Sequence, residues 1–237
     1  MCGSSPRPSS SCGATGTSGS SRLPPRIGVF GGSFNPIHFG HLLAADDVCE
    51  SLRLDRVLFV PAAQPPHKPP TELAPASHRF QMTALAVRDH PRFEVSDVEV
   101  ERSGTSYTVD TLAALRERGR LHLIIGSETF LDLLNWKDPR RVASLARLVV
   151  IPRNGMGFDP ETPAALKVLR ELGLPGFARA LAESPEGDRP LLLEAASLPI
   201  SGSDLRRRAR EGRSLAYRMP DSVVSYIRDH HLYHPEA

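Results

Sequence analysis

The sequence has few cysteines. Three occur in 237 residues, at Cys2, Cys12 and Cys49, with no C-x-x-C spacing. That excludes a disulfide-stapled scaffold and a cysteine-rich zinc site, and it points to a reducing, cytoplasmic compartment. Hydrophobic runs are short, and none approaches the roughly 18–20 residues a membrane-spanning helix needs, so no membrane partner is expected. An excess of one charge is also lacking: 29 Lys and Arg stand against 27 Asp and Glu, a net of +2. Such a balance argues against a broad nucleic-acid footprint. G-x-x-x-x-G-K-[ST], G-x-G-x-x-G and H-E-x-x-H are all missing, which removes a Walker loop, the usual dinucleotide fingerprint and a zincin site.

Residues 1–25 contain no acid at all; eight are Ser and four are Gly. So little apolar surface cannot offset the entropy of ordering a backbone, and a disordered tail is expected. A signal peptide would need a continuous apolar stretch. A transit peptide would need more than Arg7 and Arg22, and an amphipathic period.

From residue 26 on, the composition is that of an ordinary globular chain, 40% hydrophobic and 24% charged over the whole sequence. The length suits one domain, 26–237. Continuously apolar runs at 26–30, 56–60, 121–125, 147–151 and 191–195, with an alternating one at 93–100, read as strands. Between them lie helical patterns at 41–52, 77–88 (with Ser77 as cap), 108–118, 139–146 and 163–172; two more follow at 203–210 and 221–231. Buried strands alternating with helices predict an α/β fold, a doubly wound parallel sheet with helices on both faces. The stretch 155–190, rich in Pro and Gly, reads as a surface excursion. Ligands in such folds sit beyond the carboxyl ends of the strands.

The segment Gly31-Gly32-Ser33-Phe34-Asn35-Pro36-Ile37-His38-Phe39-Gly40-His41 follows the first strand and opens the first helix. Its glycines let the backbone approach an anion, and the first helical turn offers free N–H groups at the positive end of the dipole. His38 and His41, three apart, are placed to share a face and donate to phosphate oxygens. Gly40 removes a side chain where a ligand would clash. A zinc pair is the competing reading, but no third ligand is evident.

This segment resembles the nucleotidyltransferase signature G-G-T-F-D-P-I-H-x-G-H. Further matches follow over about 26–234: Pro65-Pro66-His67-Lys68, Ser106-Tyr107-Thr108-Val109-Asp110-Thr111-Leu112, Ile125-Gly126-Ser127-Glu128 with Trp136, Ile200-Ser201-Gly202-Ser203-Asp204-Leu205-Arg206, and Tyr217…Pro220…Tyr226-Ile227…Leu232-Tyr233. In this order they resemble the bacterial nicotinate-nucleotide adenylyltransferase family. Asn35 stands where that family has Asp, Glu128 where it has Asp, and Gly202 where it has Ser.

The resemblance implies a Rossmann-like fold and adenylyl transfer from ATP to nicotinate mononucleotide, giving nicotinate adenine dinucleotide and pyrophosphate in NAD biosynthesis. It assigns His38, His41 and Arg206 to catalysis. ATP would be bound by Gly31, Gly32, Ser33, Phe34, His38, Gly40, His41, Gly126, Glu128, Ile200, Ser201, Ser203 and Arg206. The mononucleotide would be bound by Gly32, Ser33, Lys68, Tyr107, Thr108 and Trp136, the last stacking on the pyridine ring. Mg²⁺ would be held by the substrate phosphates, with no protein metal ligand. Oligomeric state is left open, a homo-oligomer included. Two other readings are weighed: pantetheine-phosphate adenylyltransferase, whose family lacks the S-Y-T-x-D-T-L and Trp segments, and a nucleotide sensor without turnover, against which the retention of His38, Gly40, His41, Lys68 and Arg206 argues.

Overall fold

The structure is a computed structural model that describes residues 1, 23–66, 69, 71, 73–102, 104–152, 158–184, 187 and 189–233. The expected tail at 2–22 lies outside the described residues, as does Lys68. Pro25, counted with the tail, is tied to the sheet: its carbonyl accepts from the Arg120 N–H at 2.7 Å.

Six parallel strands form one sheet in the order β3-β2-β1-β4-β5-β6. They are β1 (Arg26–Gly32), β2 (Arg56–Pro61), β3 (Phe93–Val95), β4 (Arg120–Gly126), β5 (Arg147–Ile151) and β6 (Leu191–Leu192). The period of two sorts their side chains onto two faces. Phe30, Val57 and Phe59 point into one apolar cluster with Ala45 and Val48 of α1 (Phe39–Ser51), Met82 of α2 (Ala76–Val87), Leu205 of α7 (Gly202–Arg210) and Val223 of α8 (Asp221–Asp229). Val29, Leu58 and Val60 point into the other, with residues of α3 (Thr108–Leu115), α4 (Ser127–Leu131), α5 (Pro139–Leu145) and α6 (Pro163–Leu172). Both faces are therefore covered by helices, as the strand composition required. Among the described residues, no helix is long and apolar enough to cross a membrane.

Several local expectations change. Ser77 lies inside α2, and Pro75 precedes the helix. The strand expected over 93–100 ends at Val95: it borders only β2, and the chain turns away after the Ser96 N–H reaches the Phe59 carbonyl at 2.8 Å. The last strand is two residues long, because the chain beyond Leu193 leaves the sheet to line a cavity. The stretch 155–190 is not a simple surface excursion. It carries α6, whose Ala165, Val168, Leu169 and Leu172 are buried. Thr162 caps that helix by accepting from the Ala165 N–H at 3.3 Å, and Gly173 closes it at φ 70°.

Candidate active site

β1 and β4 are neighbours at the point where the strand order reverses, the crevice where open α/β sheets hold their ligands. Two cavities meet there. The apolar residues of the first motif anchor it: Phe34 and Ile37 are buried, and the Phe34 ring sits edge-on to Phe30 at 5.9 Å and to His41 at 5.2 Å. The polar residues between them are thereby left to line the first cavity.

His38 is the N-cap of α1, in extended conformation (φ −153°, ψ 169°), rather than a residue of the helix. The two imidazoles still come together, stacked at 3.8 Å and 30°. His41 Nδ1 accepts from the His38 main-chain N–H at 3.3 Å. That bond places the proton of a neutral His41 ring on Nε2 and makes Nε2 the donor. Gly40 lines this cavity, as expected of a ligand-facing position, and it also makes room inside the chain. A Cβ there would lie 3.1 Å from His38 Nδ1 and 3.2 Å from its Cε1, so the missing side chain makes room for the His38 ring over the first helical turn.

α7 closes the same cavity from the other side. Ser201 caps it, accepting from the Asp204 N–H at 3.2 Å, and the Ser201 and Ser203 hydroxyls are 3.2 Å apart. Arg206 Nη1 donates to the Asn35 carbonyl at 2.9 Å. A Cβ on Gly202 would lie 3.0 Å from that carbonyl, so a side chain at this position would press on the Asn35 main chain. The cavity, about 530 Å³, is lined by Gly31, Gly32, Ser33, Phe34, His38, Gly40, His41, Gly126, Ile200, Ser201, Ser203 and Arg206, and among the described residues no carboxylate lines it. Imidazole, guanidinium, hydroxyl and helix-terminal N–H groups together form an anion site.

The second cavity, about 440 Å³, brings together Gly32, Ser33, Tyr107, Thr108 and Trp136, with Pro65 and Pro66 at its edge. Phe30 to Ser33, Gly126 and Thr129 line both cavities, so a ligand in one reaches a ligand in the other. Tyr107 is the N-cap of α3 and Thr108 its first residue, which aims the helix's free N–H groups at this space. Lys137 Nζ lies 4.5 Å over the Tyr107 ring and 3.1 Å from Asp110 Oδ2. The buried Glu99 carboxylate accepts from the Thr111 hydroxyl at 2.5 Å, bracing the start of α3. Glu128 is exposed and lines neither cavity; Thr129, one residue on, does so in its place.

Sequence reasoning missed the residue that ties these loops together. Arg79 is 1% exposed. Its Nη1 donates to the Ser33 carbonyl at 2.8 Å, its Nε to Ala74 at 2.8 Å and its Nη2 to Ala63 at 3.0 Å. One guanidinium thus joins the phosphate loop to both ends of the segment 63–74, and burial pulls its pKa below the usual arginine value. Asn35, also buried, accepts at Oδ1 from the Tyr233 hydroxyl at 2.8 Å and from the Ala74 N–H at 3.1 Å. Burial raises the Tyr233 hydroxyl above its ordinary pKa. A neutral amide suits this role as an acceptor. The available signal was periodicity: Arg79 stands three and four residues before Met82 and Thr83, which are both buried, on the stripe that should be apolar.

Comparisons with known proteins give the family and the fold. Residues 29–208 match the cytidylyltransferase-like family. A protein of Roseiflexus sp. (strain RS-1), named as a probable nicotinate-nucleotide adenylyltransferase, is 43% identical over 209 residues, covering 87% of this chain and 97% of its own. One of Thermus thermophilus with the same name is 44% identical over 211 residues, covering 88% and 99%. The fold is shared with the structure of Plasmodium falciparum nicotinic acid mononucleotide adenylyltransferase complexed with NaAD, at TM-score 0.65 and 18% identity over 88% of this chain and 97% of that one. The chain is thus a member of the nicotinate-nucleotide adenylyltransferase family, within the cytidylyltransferase-like group.

Proposed function

We propose that the protein transfers the adenylyl group of ATP to nicotinate mononucleotide, giving nicotinate adenine dinucleotide and pyrophosphate. The observation that carries this reading is the pair of cavities with a common floor, one lined by anion-binding groups and the other by Tyr107 and Trp136. A phosphate oxygen of the mononucleotide attacks the α-phosphorus of ATP. The bond from that phosphorus to the bridging oxygen breaks, and pyrophosphate leaves with the electron pair. The nucleophile is already an oxyanion, so no general base is needed. Catalysis is positioning together with neutralisation of charge on the α-phosphoryl and leaving groups.

In this reading His38, His41 and Arg206 face the triphosphate. His41 Nε2 donates to an oxygen whose charge grows in the transition state. Ser201, Ser203 and the first turn of α7 hold the pyrophosphate end, and Lys68 reaches the mononucleotide phosphate. Trp136 stacks on the pyridine ring, and the N–H groups at the start of α3 receive its carboxylate. The donor set of the phosphate cavity suits anions, and the described residues contain no group of three His, Cys, Asp or Glu side chains able to hold a metal. Mg²⁺ held by the substrate phosphates, as the resemblance implies, would neutralise further charge there. The reaction belongs in the cytoplasm.

The test is pyrophosphate release with nicotinate mononucleotide, nicotinamide mononucleotide and pantetheine phosphate as acceptors. A neutral amide would turn its NH₂ toward the α3 donors. Each buried group left without a partner costs about 1–3 kcal/mol, so two mismatches give roughly 10²–10⁴ in kcat/KM. Nicotinate mononucleotide should therefore be favoured by at least about a hundredfold. Trp136→Ala should weaken both pyridine substrates and leave their ratio nearly unchanged. Equal use of the two mononucleotides would overturn the pocket assignment, and turnover of pantetheine phosphate alone would overturn the reaction.

A further inference from the structure

Arg206 rises from the second turn of α7 into the phosphate cavity. A side chain with so many rotatable bonds holds one direction only if something fixes it. Its Nη1 donates to the Asn35 carbonyl at 2.9 Å. Asn35 is in turn held by its side chain. Its Oδ1 accepts from the Tyr233 hydroxyl at 2.8 Å and from the Ala74 N–H at 3.1 Å, and two donors on one oxygen fix the plane of the amide. α7 packs directly on this joint: a Cβ on Gly202 would lie 3.4 Å from Arg206 Nη1 and 3.0 Å from the Asn35 carbonyl.

Tyr233 comes from far along the chain, 198 residues after Asn35. The turn that follows α8 delivers it, held by the His231 N–H on the Arg228 carbonyl at 3.1 Å and the Leu232 N–H on the Ile227 carbonyl at 2.9 Å. Tyr233 itself sits at φ 67°, a left-handed conformation that bulky residues rarely adopt. Strain of this kind persists where the surroundings impose it, and it points to a function for the residue that bears it. The ring packs against the apolar cluster that contains Phe34 and Leu205. A phenylalanine would pack there as well, so the hydroxyl, costly to bury without a partner, is present for its bond. Burial raises its pKa and outweighs the opposing effect of the Arg206 and Arg79 guanidiniums, which keeps it a donor.

We propose that Tyr233 is a positioning residue for adenylyl transfer, fixing through Asn35 the direction in which Arg206 meets the triphosphate. The inference rests on the placement of Arg206 at the triphosphate proposed above. A guanidinium stabilises developing phosphoryl charge only where its donors are already aimed, and the bonds Tyr233–Asn35–Arg206 supply that aim from the opposite end of the chain.

The experiment is a double-mutant cycle on the full-length protein, with Tyr233→Phe, Arg206→Ala and the two combined. Calorimetry with inorganic triphosphate reads the ground state, and pyrophosphate release from ATP and nicotinate mononucleotide gives kcat and KM. Tyr233→Phe should weaken triphosphate binding at least about threefold and lower kcat about tenfold, with KM for nicotinate mononucleotide unchanged. In the Arg206→Ala background, where His38, His41 and the start of α7 still bind the anion, adding Tyr233→Phe should change neither quantity further. A substitution that merely loosens the fold would act by the same factor in both backgrounds. Unaltered triphosphate affinity and kcat in Tyr233→Phe, or equal losses with and without Arg206, would overturn the proposal. Failure of the unsubstituted protein to use nicotinate mononucleotide would overturn the reaction instead, and the triphosphate cycle would still decide the role of Tyr233.

Discussion

His122 makes stability depend on pH in a way that can be worked from the structure. It sits in β4, 5% exposed, with Nδ1 3.1 Å from the Arg120 carbonyl. Burial, reinforced by Arg147 on β5 and Arg26 on β1, lowers its pKa from 6.5 to about 4. The unfolded chain therefore binds a proton at this position below pH 6.5, while the folded one refuses it until about pH 4. The contribution is fully present above pH 6.5, falls as the pH drops through that window, and is gone below the folded pKa. By linkage, it amounts to about 2 kcal/mol lost between pH 8 and pH 5, rising to roughly 3 kcal/mol near pH 4. Urea unfolding followed by circular dichroism at pH 8, 6.5 and 5 measures it. His122→Gln keeps a donor for the Arg120 carbonyl and does not titrate. Its stability should fall less than that of the unsubstituted protein over the same interval, by about 2 kcal/mol. Parallel pH profiles for the two proteins would refute the reasoning.

Three further outcomes concern the site. His41→Ala removes a donor whose bond strengthens as phosphoryl charge develops, and should lower kcat by roughly 10²–10³ with a smaller change in ATP affinity; His38→Ala should behave alike, and near-normal kcat in either folded variant would contradict the assignment. Gly40→Ala drives a Cβ toward the His38 ring, so kcat should drop about tenfold or more while Tm stays level or rises slightly, since alanine is the better helix former. Arg79→Lys keeps the charge but cannot serve three carbonyls, and two left unsatisfied should cost about 2–6 kcal/mol in urea unfolding; a loss below about 1 kcal/mol would show that water replaces the guanidinium.

Much of the architecture could be read from the chain because burial on both faces leaves a plain mark. A run such as Leu121 to Ile125, apolar throughout save His122, is legible as a central strand. The edges were less so. Alternation at 93–100 says which side chains face inward, but not how long the pairing lasts: β3 stops at Val95 although β2 runs on to Pro61. Within the site, the first motif located His38, His41 and the glycines, yet spacing alone could not tell that His38 caps α1 instead of continuing it, or that its own ring fills the space over Gly40. What Arg79 and Tyr233 bind was out of reach for a different reason. Their partners are main-chain carbonyls and a side-chain amide brought close by the fold, and such pairings have no spacing in the sequence.

The common floor of the two cavities has a consequence for what leaves the site. A dinucleotide formed across it is a bivalent ligand, each half held by the subsite that delivered it. The tether between the halves is two phosphates long, so once one half is seated the other experiences a high effective concentration. Such a product should dissociate more slowly than either mononucleotide-sized half. It should also compete with both substrates, because it lies across Phe30 to Ser33 and blocks each compartment at once. Pyrophosphate, touching one compartment only, has no such hold. Release would then be ordered by geometry, the inorganic product departing first and the dinucleotide last, and turnover would be limited by the same contiguity that brings the reacting phosphates together.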